Sequence, residues 1–214
     1  MEVAHAPFFG DRGIRQLGST FHVGECGTVA GMVRTSSCTS SGTASSPRLL
    51  GLAPVLGADA RLLILGSFPS VASLAAQQYY AHPRNQFWPL LSAIWGLTGE
   101  QALSTRPYAE RLPVVKAHGV AIWDVYAGCV REGSLDSDIT AAELNDLPGL
   151  VARTPGLRAI AHNGGESARH MKITQALGLP VFKLPSTSPA HASWSFERKL
   201  QAWRAVFEEA GVAA

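Results

Sequence analysis

Residues 62–97 read LLILGSFPSVASLAAQQYYAHPRNQFWPLLSAIWGL, and the fold follows from this stretch. Leu62, Leu63, Ile64 and Leu65 form an apolar run without alternation, as in a strand covered on both faces. The run stops at Gly66-Ser67-Phe68-Pro69-Ser70, where Gly66 permits a sharp turn and the close approach of a ligand. A polar, aromatic-rich loop then carries Tyr79, Tyr80, His82 and Asn85. Beyond it, Phe87, Leu90, Leu91 and Ile94 recur at helical spacing. Pro89 is tolerable only near a helix start, which puts the N-cap near Asn85. A buried strand, a loop leaving its carboxyl end and a helix fixing that loop predict an open α/β sheet. Ligands bind outside the carboxyl ends of such strands. Taken alone, Asn85 is open to two readings, a plain helix cap and a functional amide.

Working outward, three more apolar segments read as strands, at 120–125, 157–162 and 180–184. Helices are expected at 101–118, at 141–153, from the Asn163-Gly164-Gly165 turn to about 177, and at 193–210. In the last, Phe196, Leu200, Trp203 and Phe207 make an aromatic stripe that should pack on the sheet. Asp124 and Arg131 lie near the end of the second strand. They are open to a pocket-lining role or to an ordinary surface ion pair.

The chain has 214 residues, 46% of them hydrophobic, which suits one domain with a sizeable core. Charged residues make up 16% and the net charge is +2, so bulk basicity does not announce a nucleic-acid partner. A partner held through one nucleotide needs only a local patch. Three cysteines without a CxxC argue against a disulfide framework, a zinc site and an all-cysteine iron–sulfur cluster within one chain. No metal or other cofactor is expected. Residues 1–48 lack a sustained period and end in TSSCTSSGTASSP at 35–47, which reads as a disordered extension before a domain at 49–214. A weak presequence character (Arg12, Arg15, Arg34) and an early start codon are the other readings of that segment. No long apolar run predicts a signal peptide or a membrane span, and a reduced cytoplasmic setting is expected.

Three motifs together resemble the uracil-DNA glycosylase superfamily, and most closely its hypoxanthine (deoxyinosine) DNA glycosylase branch. They are GSFPS at 66–70 with YYAHPRNQFW at 79–88, AHNGG at 161–165, and LPSTSPAHAS at 184–193. The resemblance runs from about Leu49 to Gly211. It implies a three-layer α/β/α sandwich around a central, mainly parallel four-stranded sheet. It also implies a monomeric enzyme that flips a deaminated base out of DNA and hydrolyses its N-glycosidic bond, and thus a nucleoid-associated cytoplasmic protein. The mismatch-specific uracil glycosylases carry a catalytic Asn where this chain has Phe68. In the hypoxanthine branch that role belongs to the residue matching Asn85, and the residue matching Asn163 sits in the base pocket.

The resemblance assigns Gly66, Ser67, Phe68, Tyr80 and His82 to the base, with Tyr80 the best candidate to stack on it. Ser70, Arg84, Ser186, Ser188, Pro189 and His191 are expected on the DNA backbone side. Each has a plainer alternative. Asn163 suits a turn cap, His82-Pro83 a rigid turn, Arg84 a solvated face, and 185–193 an ordinary Ser/Pro loop. Other branches open the third motif with a His; here that position is Leu184, and His191 lies seven residues later.

No carboxylate occurs in the three motifs, so catalysis is expected to rest on positioned water and on stabilisation of the leaving base. Lys183 is the only lysine adjoining a motif and nothing aims it at the sugar, which favours a hydrolase over a lyase. The alternatives are a uracil or mismatch glycosylase of the same superfamily, and a non-catalytic nucleic-acid-binding module.

Overall fold

The computed structural model describes residues 47–213. The expected extension therefore lies outside the described residues except for its last two positions, and Cys26 and Cys38 lie outside them too. Cys129 is a buried free thiol.

Among the described residues, seven strands form two sheets. They are β1 (Arg48–Leu50), β2 (Leu62–Gly66), β3 (Val120–Asp124), β4 (Tyr126–Val130), β5 (Thr140–Leu144), β6 (Ala159–Asn163) and β7 (Val181–Leu184). The four strands expected from the apolar runs make one parallel sheet in the order β3-β2-β6-β7. Every residue of β2, β3 and β6 is buried, which is why their sequences show runs rather than alternation. Val55 adds a short antiparallel bridge to Ile122.

Helices cover the sheet. They are α1 (Val71–Ala76), α2 (Phe87–Ile94), α3 (Tyr108–Ala117), α4 (Leu147–Ala152), α5 (Gly165–Ala168), α6 (Met171–Gln175) and α7 (Phe196–Glu209). Phe87 on α2 meets Trp203 on α7 edge-on, with centroids 5.9 Å apart. Of the expected stripe on α7, Trp203 and Phe207 are fully buried, and Phe196 and Leu200 pack partly buried beside them. No helix among the described residues is long and apolar enough to cross a membrane.

Several local expectations are corrected. The helix expected at 101–118 is confined to Tyr108–Ala117, and the one expected to run to about 177 is divided into α5 and α6. The helix expected at 141–153 begins only at Leu147; Thr140–Leu144 is a strand paired with β4. Tyr126–Val130, outside every expected element, is β4, so β1, β4 and β5 make a small antiparallel sheet. The loop after Gly66 contains α1, capped by Ser70, whose Oγ accepts from Ser73 N. Thr140–Leu144 is rich in helix formers but exposed throughout. Pairing with β4 and a left-handed Ala141 (φ +46°) override its propensity.

Candidate active site

The site grows from the carboxyl ends of the parallel strands. Gly66 and Asp124 are register partners at the ends of β2 and β3, and Asn163 and Leu184 at the ends of β6 and β7. The chain leaves β2 for β3 on one side and later returns to β6 on the other. The loops after β2 and β6 therefore diverge, opening a crevice at the switch point. A cavity of about 350 Å³ lies there, in the range of small-ligand sites.

Its floor is Gly66, flanked by Asp124, Tyr80 and Asn163. A Cβ on Gly66 would overlap Asp124 Oδ1 and lie 3.4 Å from Tyr80 Oη, so only glycine leaves this space open. The Gly66 and Ser67 carbonyls accept from Val125 N and Tyr126 N. A trans peptide sets N–H opposite C=O, so the Ser67 and Phe68 N–H groups point away from that ladder. Arg131 pins the turn from behind. It is buried, donates from Nη2 to Pro69 O at 2.6 Å, and lies 5.1 Å from the Phe68 ring centroid. Asp124 and Arg131 thus do not form a surface ion pair; both are buried.

The loop before α2 supplies Tyr80 and Asn85. Tyr80 is held at φ +54°, rare for an aromatic residue, with its ring stacked on Phe87 at 3.8 Å. Its hydroxyl is buried without a hydrogen-bond partner. Burial, then the nearby Asp124 charge, raises its pKa far above the usual tyrosine range, with the Asn163 amide acting the other way. Tyr79 instead faces the core and donates to the Leu52 and Ala53 carbonyls. Asn85 precedes Gln86, the N-cap of α2; its Oδ1 accepts from Phe87 N at 3.0 Å, and it also lines the cavity. That bond uses the oxygen and leaves the Nδ2 donors free of it.

Asn163 is tied to Thr187. Its Oδ1 accepts from Thr187 N and its Nδ2 donates to Thr187 Oγ1, each at 3.0 Å. Gln86 N donates to Thr187 O, which joins the loops on opposite sides of the cavity. Buried Lys199 on α7 adds a second tie, donating to Gln86 Oε1 at 2.8 Å and His191 O at 2.9 Å. Neighbouring His162 belongs to the core. Its ring nitrogens meet Ser167 Oγ and Thr174 Oγ1, and burial pushes its pKa down to about 4.

Among the residues expected at the DNA backbone, Ser70, Ser186, Ser188 and His191 line the cavity. His191 Nδ1 is buried without a partner. Pro189 and Arg84 are exposed and stand outside the lining. His82 also stands outside it; its Nδ1 accepts from Arg84 N, the turn-like alternative.

Two carboxyl groups that the motifs do not contain reach the cavity. Asp136, on the β4–β5 hairpin loop, accepts from Ser67 Oγ at 2.7 Å. Burial raises its pKa and the Ser67 hydrogen bond lowers it. Asp124 has its Oδ2 buried without a partner. Burial first, then Asp136, pushes its pKa up to about 7 against the pull of Arg131. Asp136 and Lys199 escape a motif reading because each acts through a distant partner. Thr187 lies inside the third motif, which was its only sequence signal. No cluster that could hold a metal ion occurs among the described residues.

Residues 53–207 match the family model of the uracil DNA glycosylase superfamily. The chain is 37% identical over 157 residues to a hypoxanthine DNA glycosylase from Methanosarcina acetivorans, covering 73% of this chain and 96% of the relative. A hypoxanthine DNA glycosylase from Methanosarcina barkeri is 34% identical over 158 residues, or 74% of this chain and 97% of that one. A solution NMR structure from Methanosarcina acetivorans, described as a candidate uracil DNA glycosylase, superposes with a TM-score of 0.68. It is 35% identical and covers 77% of this chain and 99% of its own.

Proposed function

The chain belongs to the uracil DNA glycosylase superfamily, and we propose from this that it is a DNA repair glycosylase that releases hypoxanthine from deoxyinosine-containing DNA. The observation carrying this reading is the meeting of Asn85, Asn163 and the Gly66–Phe68 turn on one cavity at the switch point of the sheet. The product is an abasic site and the free base.

Each part of the cavity has work that suits it. A base must leave the stack to reach this depth, at a cost of a few kcal/mol. Stacking against an aromatic ring returns about 1–3 kcal/mol per base, and Tyr80 is the ring at hand. Asn85 orients the water that attacks C1′; an amide cannot act as an efficient base at neutral pH, so it positions. The Ser67 and Phe68 N–H groups stabilise charge on the departing base. Asn163 holds the Ser/Pro loop, where Ser186 and Ser188 offer hydroxyl donors to phosphate. Pro189 and Arg84, both exposed, act on the DNA side in this reading. The domain spans 49–214 and acts as a cytoplasmic monomer on chromosomal DNA.

The test is base release from matched duplexes carrying deoxyinosine or deoxyuridine, in chelator. Faster release of hypoxanthine is expected. Release of uracil alone would move the protein to a uracil-specific role, and lesion-independent binding without an abasic product would make it a non-catalytic module.

A further inference from the structure

The mechanism above leaves one buried ionisable group of the cavity without a task. Asp124 ends β3 beside Gly66, is 3% exposed, and has its Oδ2 buried with no hydrogen-bond partner. A carboxyl group left unpartnered in a protein interior is costly unless it is neutral or meets a ligand. Its Oδ1 crowds the space beside Gly66 on the cavity lining, and the Tyr80 hydroxyl lies 3.4 Å from where a Gly66 Cβ would sit. A flipped base that fills the cavity would come against this carboxyl group.

We propose that Asp124 is a further catalytic residue, the general acid that protonates the departing purine; this rests on the hypoxanthine glycosylase reading. The bookkeeping is simple. As the C1′–N9 bond breaks, its electron pair passes to the base, and the Asp124 proton moves to a purine ring nitrogen, N7 or N3. Hypoxanthine then leaves as a neutral molecule. Water held by Asn85 bonds to C1′ and sheds a proton to solvent, from which the Asp124 carboxylate is recharged. One water is consumed and one neutral base is released.

The surroundings favour the protonated form. Asp136 faces Asp124 from the β4–β5 hairpin, and its negative charge opposes a second one. Arg131 pulls the other way. The Tyr79 and Tyr80 hydroxyls, from the loop before α2, are kept neutral first of all by burial and set no charge against Asp124. Burial outweighs the pull of Arg131, so the proton is retained to about neutral pH, where a general acid is most effective.

The experiment is single-turnover hypoxanthine release by the full chain across pH 5–9, for wild type and Asp124→Asn. Binding to a deoxyinosine duplex and thermal melting are followed alongside. The wild-type rate is expected to fall as pH rises through about 7, because the acid loses its proton. Asp124→Asn is expected to be slower by about 10²–10⁴-fold and to lose that limb, with binding retained. A wild-type rate that rises through neutrality would overturn the proposal without any variant. So would an Asp124→Asn enzyme that keeps the wild-type rate, or one that is slow but keeps the falling limb. If wild type releases no hypoxanthine at any pH, the underlying reading fails instead, and the two failures are distinguished.

Discussion

The carboxamide of Asn163 grips Thr187 from both sides, accepting from its N–H and donating to its hydroxyl, each at 3.0 Å. One residue at the end of β6 thereby sets the position of the loop after β7. Asn163→Ala leaves a buried Thr187 N–H without a partner, at a cost of about 1–3 kcal/mol. The melting temperature should drop by several degrees, as about 2–4 °C per kcal/mol applies to chains of this size. Hypoxanthine release should suffer more than binding to undamaged DNA, which single-turnover rates and a gel-shift titration would check. An unchanged rate would remove Asn163 from the site.

Lys199 acts through geometry rather than chemistry. Its ammonium ties Gln86, next to Asn85, to His191 in the third motif. Lys199→Met fills similar space without a buried charge, so stability should hold to within about 1–2 kcal/mol. Release should slow by up to about 10²-fold, the usual penalty for small misplacement. Melting and rate measured on the same preparation separate the two effects; equal rates would show that the loops keep their places without the tie.

Gly66 is required by space. Gly66→Ala would press a methyl group onto Asp124 Oδ1 and close the cavity floor. Overpacking of this kind costs about 1–3 kcal/mol. Folding should survive with lower stability while hypoxanthine release is lost. A crystal structure of the variant with an open floor and full activity would contradict the placement of the base.

Asp124 also links stability to pH. Its folded-state value of about 7 stands above the ordinary 3.8. The unfolded chain therefore loses the proton first, and this group makes the fold less stable as pH rises from about 4 to 7, with the full cost above 7. Asp124→Asn removes that cost. The variant should melt higher than wild type at pH 8, by a margin that shrinks toward pH 4; calorimetry across that range is the check.

The parallel sheet was legible because β2, β3 and β6 are fully buried and mainly apolar, and runs such as 62–65 have few other readings. Asn85 and Asn163 were legible through motif order. The antiparallel sheet was not. Tyr126–Val130 is interrupted by Gly128, and Thr140–Leu144 is exposed and helix-prone, so neither carries a periodic signal. Asp136 reaches the cavity only because that hairpin forms and Ser67 meets it. The pinning of Pro69 by Arg131 spans 62 residues of sequence, and no local pattern encodes it.

Dependence of base release on Asn85 bears most directly on the whole account. Wild type and Asn85→Ala should be compared on a deoxyinosine duplex in single turnover, with binding to the same duplex measured in parallel. The expected result is loss of hypoxanthine release with binding kept and a modest loss of stability, about 1 kcal/mol, from the missing hydrogen bond to Phe87 N at the start of α2. Release by Asn85→Ala at the wild-type rate would contradict the account, leaving Asn85 to hold the start of α2 and the catalytic group elsewhere in the cavity.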